Sequence, residues 1–201
     1  NTFVAAGFNG NILRSTDNGS SFDNVTSPTA NHFYGVGFAN NTFVAVGGWG
    51  GGIVRSTDNG TTWDNATSPT GEHLIEVGFG NNTFVAVGTN GNIVRSTDNG
   101  SSWDNATSPT GKQLREVGFA NNTFVAVGYD GNILRSTDNG SSWDNVTSPT
   151  SEHLWSVTFA NNTFVVVGYN GNILRSTDNG SSWDNVTSPT ANNLWGVSFS
   201  E

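Results

Sequence analysis

The chain repeats itself at a fixed period, and that constrains its fold more than any other feature. The segment Ser176-Thr177-Asp178-Asn179-Gly180-Ser181-Ser182-Trp183 has four other copies, starting at Ser15, Ser56, Ser96 and Ser136. The second copy carries Thr61-Thr62 in place of the serine pair, and the first ends in Phe22 rather than Trp. The heptad NTFVAAG at Asn1 returns as NTFVAVG at Asn41, Asn82 and Asn122, and as NTFVVVG at Asn162. The offsets are 40, 41, 40 and 40 residues, so five equivalent units are expected, spanning 1–40, 41–81, 82–121, 122–161 and 162–201. No linker separates them, which predicts one domain over residues 1–201.

Each unit reads as four short strands. In the fourth, Thr123–Gly128 runs into a Tyr129-Asp130-Gly131-Asn132 turn, where Asp-Gly favours a tight hairpin because both central residues take positive φ. A second strand over 133–138 enters the repeated turn, a third follows over 143–147, and a fourth covers 154–159. In TFVAVG both faces are apolar, as expected of a strand packed between two neighbouring sheets. The segment WDNVT is polar after its first residue, which suits an outer edge strand that must not pair with other chains. Small sheets packed on both faces and repeated radially predict an all-β, closed five-bladed β-propeller of four-stranded antiparallel blades. The first unit opens directly on TFVAAG, and Leu194-Trp195-Gly196-Val197-Ser198-Phe199 has the sequence of the strand that precedes TFV elsewhere. It is therefore expected to close the first blade.

With Ser/Thr-x-Asp-x-Gly-x-Ser/Thr-Trp matched in every unit except for Phe22, the repeated turn resembles the Asp-box of bacterial neuraminidase repeats. The VGxxGNIL and LxxVxF segments make the whole unit similar to propellers related to the photosystem II stability and assembly factor. The resemblance implies that Asp17, Asp58, Asp98, Asp138 and Asp178 are structural, each Asp-box joining the third and fourth strands of a blade, counted outwards. The chain departs from that family in having five units rather than more.

The remaining expectations concern function. A formal charge of −9 with seven Lys plus Arg excludes a nucleic-acid backbone or an anionic membrane as partner. No apolar run is long enough to span a bilayer. The absence of cysteine removes thiolate chemistry. A chain starting at Asn1 reads as a mature or trimmed product, and its Asn/Ser/Thr-rich, Lys-poor surface leans towards an extracellular or virion setting; a monomer is expected. No paired carboxylates or Ser/His/Asp set can be assembled, so no enzyme and no cofactor are expected. His32, His73 and His153 occupy equivalent positions, but Gln113 and Asn193 fill the other two, so no metal site is expected. Arg14, Arg55, Arg95, Arg135 and Arg175 recur with Asp23, Asp64, Asp104, Asp144 and Asp184, which predicts structural cross-strand pairs.

Differences among the units gather at one end of the strands, away from the Asp-box, and binding specificity usually resides in such loops. Expected aromatic pairs there are Trp155 with Tyr169, Trp195 with Phe8 and Tyr34 with Trp49, with Arg115 and Tyr129 as a mixed pair. Aromatic faces beside polar groups predict multivalent glycan binding, the alternative for Trp155 and Trp195 being interblade core. Two further alternatives are a protein-assembly scaffold and a propeller engineered or recently amplified without an evolved ligand. The last is suggested by the fourth and fifth units, which differ at only nine of 40 positions.

Overall fold

The structure, a computed structural model, describes residues 1–200. All its extended elements are antiparallel strands, arranged in five sheets that follow the repeat. The first sheet holds β1 (Phe3–Ala6), β2 (Ile12–Ser15) and β3 (Asp23–Val25). The second holds β4 (Phe33–Ala39), β5 (Thr42–Gly47), β6 (Gly52–Ser56) and β7 (Asp64–Ala66). The third holds β8 (Leu74–Gly80), β9 (Thr83–Gly88), β10 (Ile93–Ser96) and β11 (Asp104–Asn105). The fourth is β12 (Leu114–Ala120), β13 (Thr123–Gly128), β14 (Ile133–Ser136) and β15 (Asp144–Val146). The fifth is β16 (Leu154–Ala160), β17 (Thr163–Gly168), β18 (Ile173–Ser176) and β19 (Asp184–Val186). These all-β sheets, in simple up-and-down order, are blades of the propeller type. The chain divides into two compact units: residues 1–86 with 94–105, and residues 87–93 with 106–201.

Turn chemistry sets each blade. Asp130 (φ 56°) and Gly131 (φ 70°) both occupy the left-handed region at the hairpin tip, as the Asp-Gly pair predicts. Gly131 is also held by space, since a Cβ there would lie 2.0 Å from the Thr150 carbonyl oxygen. The consecutive Asn121 and Asn122 turn β12 into β13 within the fourth sheet at φ 47° and 58°, a conformation Asn tolerates better than other side chains.

The TFV strands form the cores. In the first unit Val44, Val46, Phe84, Ala86 and Trp103 pack in one buried cluster with Leu74 and Val94. In the second, Val125, Val127, Phe164, Val166 and Trp183 do the same with Leu154 and Leu174. Each fully buried Val or Phe contributes about 1.5–3 kcal/mol over its exposed state. By contrast, the third-strand Asp and Asn side chains face solvent throughout the outer strands.

Two expectations change here. The first sheet has three strands rather than four, and residues 194–199 form no β-ladder among the described residues. Its backbone instead makes two isolated bonds to the fifth sheet: the Leu194 N–H donates to Gly168 O of β17 at 2.9 Å and the Val197 N–H to Ser156 Oγ of β16 at 3.3 Å. A strand needs a ladder partner for its alternate backbone groups, and the fifth sheet supplies only these isolated bonds. Arg14 and Asp23, and Arg135 and Asp144, are cross-strand partners as expected. Their guanidinium groups are nevertheless spent across blades: Arg14 Nε donates to Asn59 O at 2.6 Å and Arg135 Nε to Asn179 O at 2.7 Å.

Candidate functional site

The two ends of a blade differ in kind. At the Asp-box end, Asp138 is a hub. Its Oδ1 accepts from Ser136 Oγ at 2.8 Å and from the Ser142 N–H at 3.0 Å, and its Oδ2 accepts from Ser142 Oγ at 2.6 Å. The Gly140 N–H donates to the buried Ser136 Oγ at 2.9 Å, and Trp143 Nε1 donates to Gly140 O at 3.1 Å. The other boxes repeat this pattern, and hydrogen bonds from the box hydroxyls hold the carboxyls of Asp17, Asp58 and Asp178 down to about 2. Asp98 also falls to about 2; burial pushes it up, and its bonds to Ser102 and Ser96 outweigh that. In each box both carboxylate oxygens accept hydrogen bonds from the box's own groups.

Two equivalent clefts open beside the boxes. One, of about 560 Å³, is lined by Arg14, Asp23, Thr62 and Trp63; its counterpart, of about 570 Å³, is lined by Arg135, Asp144, Ser182 and Trp183. They are copies of one seam, and their tryptophans Trp63 and Trp183 are buried in it. Their linings correspond apart from Thr61-Thr62 in place of Ser181-Ser182, as expected of a seam between stacked blades.

The opposite end concentrates the differences. In the second unit, Trp155 is the centre of a cluster. Arg115 lies over its ring at 4.5 Å, and Trp195, Tyr169 and Tyr129 have ring centroids 5.0, 5.2 and 5.7 Å away. Tyr129 stacks on His153 at 4.2 Å, and Lys112 caps the patch through Asp130 at 2.5 Å, holding that carboxyl below its usual range. Arg115 Nε and Trp155 Nε1 are buried with no acceptor among the described residues. Burial pushes the Glu116 carboxyl up, against hydrogen bonds from Ser156 and the Val157 N–H that lower it. Trp195 is 63% exposed. In the first unit a smaller cluster joins Phe8 to Tyr34 at 6.2 Å, Tyr34 to His73 at 6.2 Å and Trp49 to His73 at 5.0 Å.

The expected pairs are therefore partly re-sorted. Trp155 meets Tyr169 as predicted. Arg115 goes to Trp155 rather than to Tyr129, Tyr34 and Trp49 each go to His73, and Trp195 goes to Trp155. The cause is that the residue before each innermost strand sits between the turn of the preceding blade and the turn of its own. The histidines have a use that sequence comparison missed. His32 Nδ1 accepts from the Asn9 N–H at 2.9 Å, His153 Nδ1 from the Asp130 N–H at 3.0 Å, and Asn193 Oδ1 from the Asn170 N–H at 3.1 Å. This is a blade-to-blade latch that His and Asn serve equally well. A further signal was available in the cation count: five of the seven Lys plus Arg are the repeated arginines, and the other two, Lys112 and Arg115, both lie at this cluster.

Comparisons with known proteins place this geometry. A comparison with curated proteins gives no match. Among solved structures the chain is similar to "YCF48 bound to D1 peptide", at 20% identity and a TM-score of 0.71, over 92% of this chain and 63% of that one. It is also similar to the computationally designed Ika8 protein, at 13% identity and a TM-score of 0.79, over 100% of this chain and 63% of that one. The chain thus spans 63% of the length of each. At these identities the likeness shows the fold. The sequence profile of the photosynthesis system II assembly factor YCF48 matches over residues 56–152 and 97–199, which together cover most of the chain, and the chain belongs to that family.

Proposed function

We propose that the chain is a non-enzymatic, protein-binding propeller module that holds a segment of a partner protein against the Trp155 cluster. The observation that carries this is the composition of the patch. Tryptophan, tyrosine and arginine dominate the energetically important centres of protein interfaces, and Arg115, Trp155, Trp195, Tyr129 and Tyr169 are assembled here within one unit. Membership of an assembly-factor family supports a protein partner, and the similar YCF48 structure has a bound D1 peptide. Glycan binding has no support from the family or from either similar structure. A sugar needs a free aromatic face, and the Trp155 ring has Arg115 over it and Trp195 and Tyr169 packed around it.

Selection of displayed random peptides against the whole chain tests this, scored against an Arg115→Ala/Tyr129→Ser double variant. Peptides enriched on the wild type and lost at least tenfold on the variant are expected. Enrichment unaffected by the double variant, or binding to a glycan array without any peptide enrichment, would overturn the proposal. An absence of all binding would favour a chain amplified for its fold alone.

A further inference from the structure

We propose that His153 is a proton-operated latch on the Trp155 cluster, holding the patch assembled while its ring is neutral and releasing it when Nδ1 takes a proton. The latch rests on its own geometry; what it controls rests on the reading of this cluster as the binding patch. His153 Nδ1 accepts from the Asp130 N–H at 3.0 Å, so the neutral ring carries its proton on Nε2. The same ring stacks on Tyr129 at 4.2 Å, and its centroid lies 5.0 Å from that of Tyr169 and 6.3 Å from that of Trp155. One hydrogen bond therefore positions a ring that borders three members of the patch.

Three latches of this kind can be compared within the chain. At one, His32 Nδ1 accepts from the Asn9 N–H at 2.9 Å; at another, Asn193 Oδ1 accepts from the Asn170 N–H at 3.1 Å. The first has an imidazole but an uncharged turn residue, and the second has neither an imidazole nor a carboxylate. Of the three, the His153 latch alone pairs an imidazole with a carboxylate, because Asp130 stands where Asn9, Asn90 and Asn170 stand in other units. Asp130 Oδ1 lies 3.6 Å from His153 Nδ1, too far for a hydrogen bond while the backbone N–H occupies that nitrogen. The device thus sits at the end where aromatic and cationic residues gather.

Protonation turns Nδ1 from an acceptor into a donor. The Asp130 N–H and the new Nδ1–H then face each other across the former bond, which is lost, and Asp130 Oδ1 is the acceptor beside it. Asp130 is available in its ionised form, since the hydrogen bond from Lys112, together with the charge of Lys112 and of protonated His153, holds its carboxyl below the usual range. The carboxylate then takes Lys112 on Oδ2 and His153 on Oδ1. To reach it the imidazole shifts on the face of Tyr129, whose own ring lies 5.7 Å from Trp155. The other titratable and charged groups around the ring are the Tyr129 and Tyr169 phenols, Glu152 beside it in the chain, and Arg115, which lies over Trp155. Phenols, carboxylates and guanidinium groups ordinarily keep one charge state between about pH 5 and 8, where imidazoles change theirs.

Two-bond proton–nitrogen NMR of the imidazole rings in the whole chain, titrated between about pH 5 and 8, reads the latch itself. His153 is expected as the Nε2–H tautomer at the alkaline end, with the Asp130 amide signal moving as the ring titrates. Affinity for a histidine-free peptide selected on the Trp155 cluster reads the consequence. It is expected to fall about fivefold from the alkaline to the acid end, the equivalent of about 1 kcal/mol for one latch bond. In His153→Asn, which keeps the bond as Asn193 does and has no proton to take, the affinity is expected to stay level. A neutral ring with its proton on Nδ1, an Asp130 amide indifferent to the titration, or wild-type pH dependence in His153→Asn would each overturn the proposal. If no peptide is selected, the reading of the patch falls, and the tautomer and amide signals still decide the latch.

Discussion

Removing the hydroxyl of Ser136 perturbs the Asp-box at its buried point. Ser136 is 2% exposed, and its Oγ both donates to Asp138 Oδ1 and accepts from the Gly140 N–H. Ser136→Ala leaves that N–H buried without an acceptor, which costs about 1–3 kcal/mol. The lost bond to Asp138 adds about 0.5 kcal/mol or less, because the carboxylate faces solvent and keeps its bonds from Ser142. The total is about 1–3.5 kcal/mol. With an m value of about 2–3 kcal/mol/M, the urea midpoint should fall by about 0.3–1.8 M. Tryptophan fluorescence is the natural probe, since Trp143 caps the same turn. Ser142→Ala is the control: its hydroxyl is exposed and its loss should cost about 0.5 kcal/mol at most. Equal midpoints for the two variants would refute the view that the box fastens the blade from its buried serine rather than from its exposed carboxylate.

Three other outcomes follow from the same geometry. Asp17, Asp58, Asp98 and Asp178 have folded values of about 2, below the ordinary carboxyl value near 3.9, so their contribution is fully present above about pH 4 and is lost as pH falls through about 2. Urea midpoints should therefore decline across that acid window, and a flat profile would count against the carboxylates. Gly180→Ala places a Cβ at φ 76° and 2.9 Å from Val125, whereas Gly19→Ala meets only the backbone strain at φ 82°; Gly180→Ala should cost about 1–3 kcal/mol more, read by denaturation. His153→Asn should be tolerated within about 0.5 kcal/mol, since Asn193 already makes the equivalent bond, while His153→Ala orphans the Asp130 N–H and costs about 1 kcal/mol.

Much of the fold is legible in the sequence because the repeat states each local rule five times. Asn-Gly and Asp-Gly at the hairpins, Asn-Asn between the first two strands of a blade and Asp-Asn-Gly in the boxes each demand positive φ, and the backbone has it there. Apolar alternation on both faces marks the buried TFV strands correctly. What the sequence hides depends on neighbours. Leu194–Phe199 carries a strand's residues, but strand formation belongs to a pair, and its partner is not named by its own sequence. Arg14 and Arg135 sit opposite aspartates, yet a carbonyl of the next Asp-box is the nearer acceptor. At the variable end the residues Arg115, Tyr129, Trp155, Tyr169 and Trp195 are all picked out by comparing units. Their partners differ because each side chain lies between two turns rather than beside one.

Hydrogen exchange on the chain alone and with a selected peptide bound tests the central claim most directly, that binding resides at the variable end while the Asp-box end is structural. The account predicts new protection at 129–131, 153–156 and 169–171, with 138–142 and 178–182 unchanged. Protection confined to the Asp-box turns, with the Trp155 cluster exchanging as before, would contradict it.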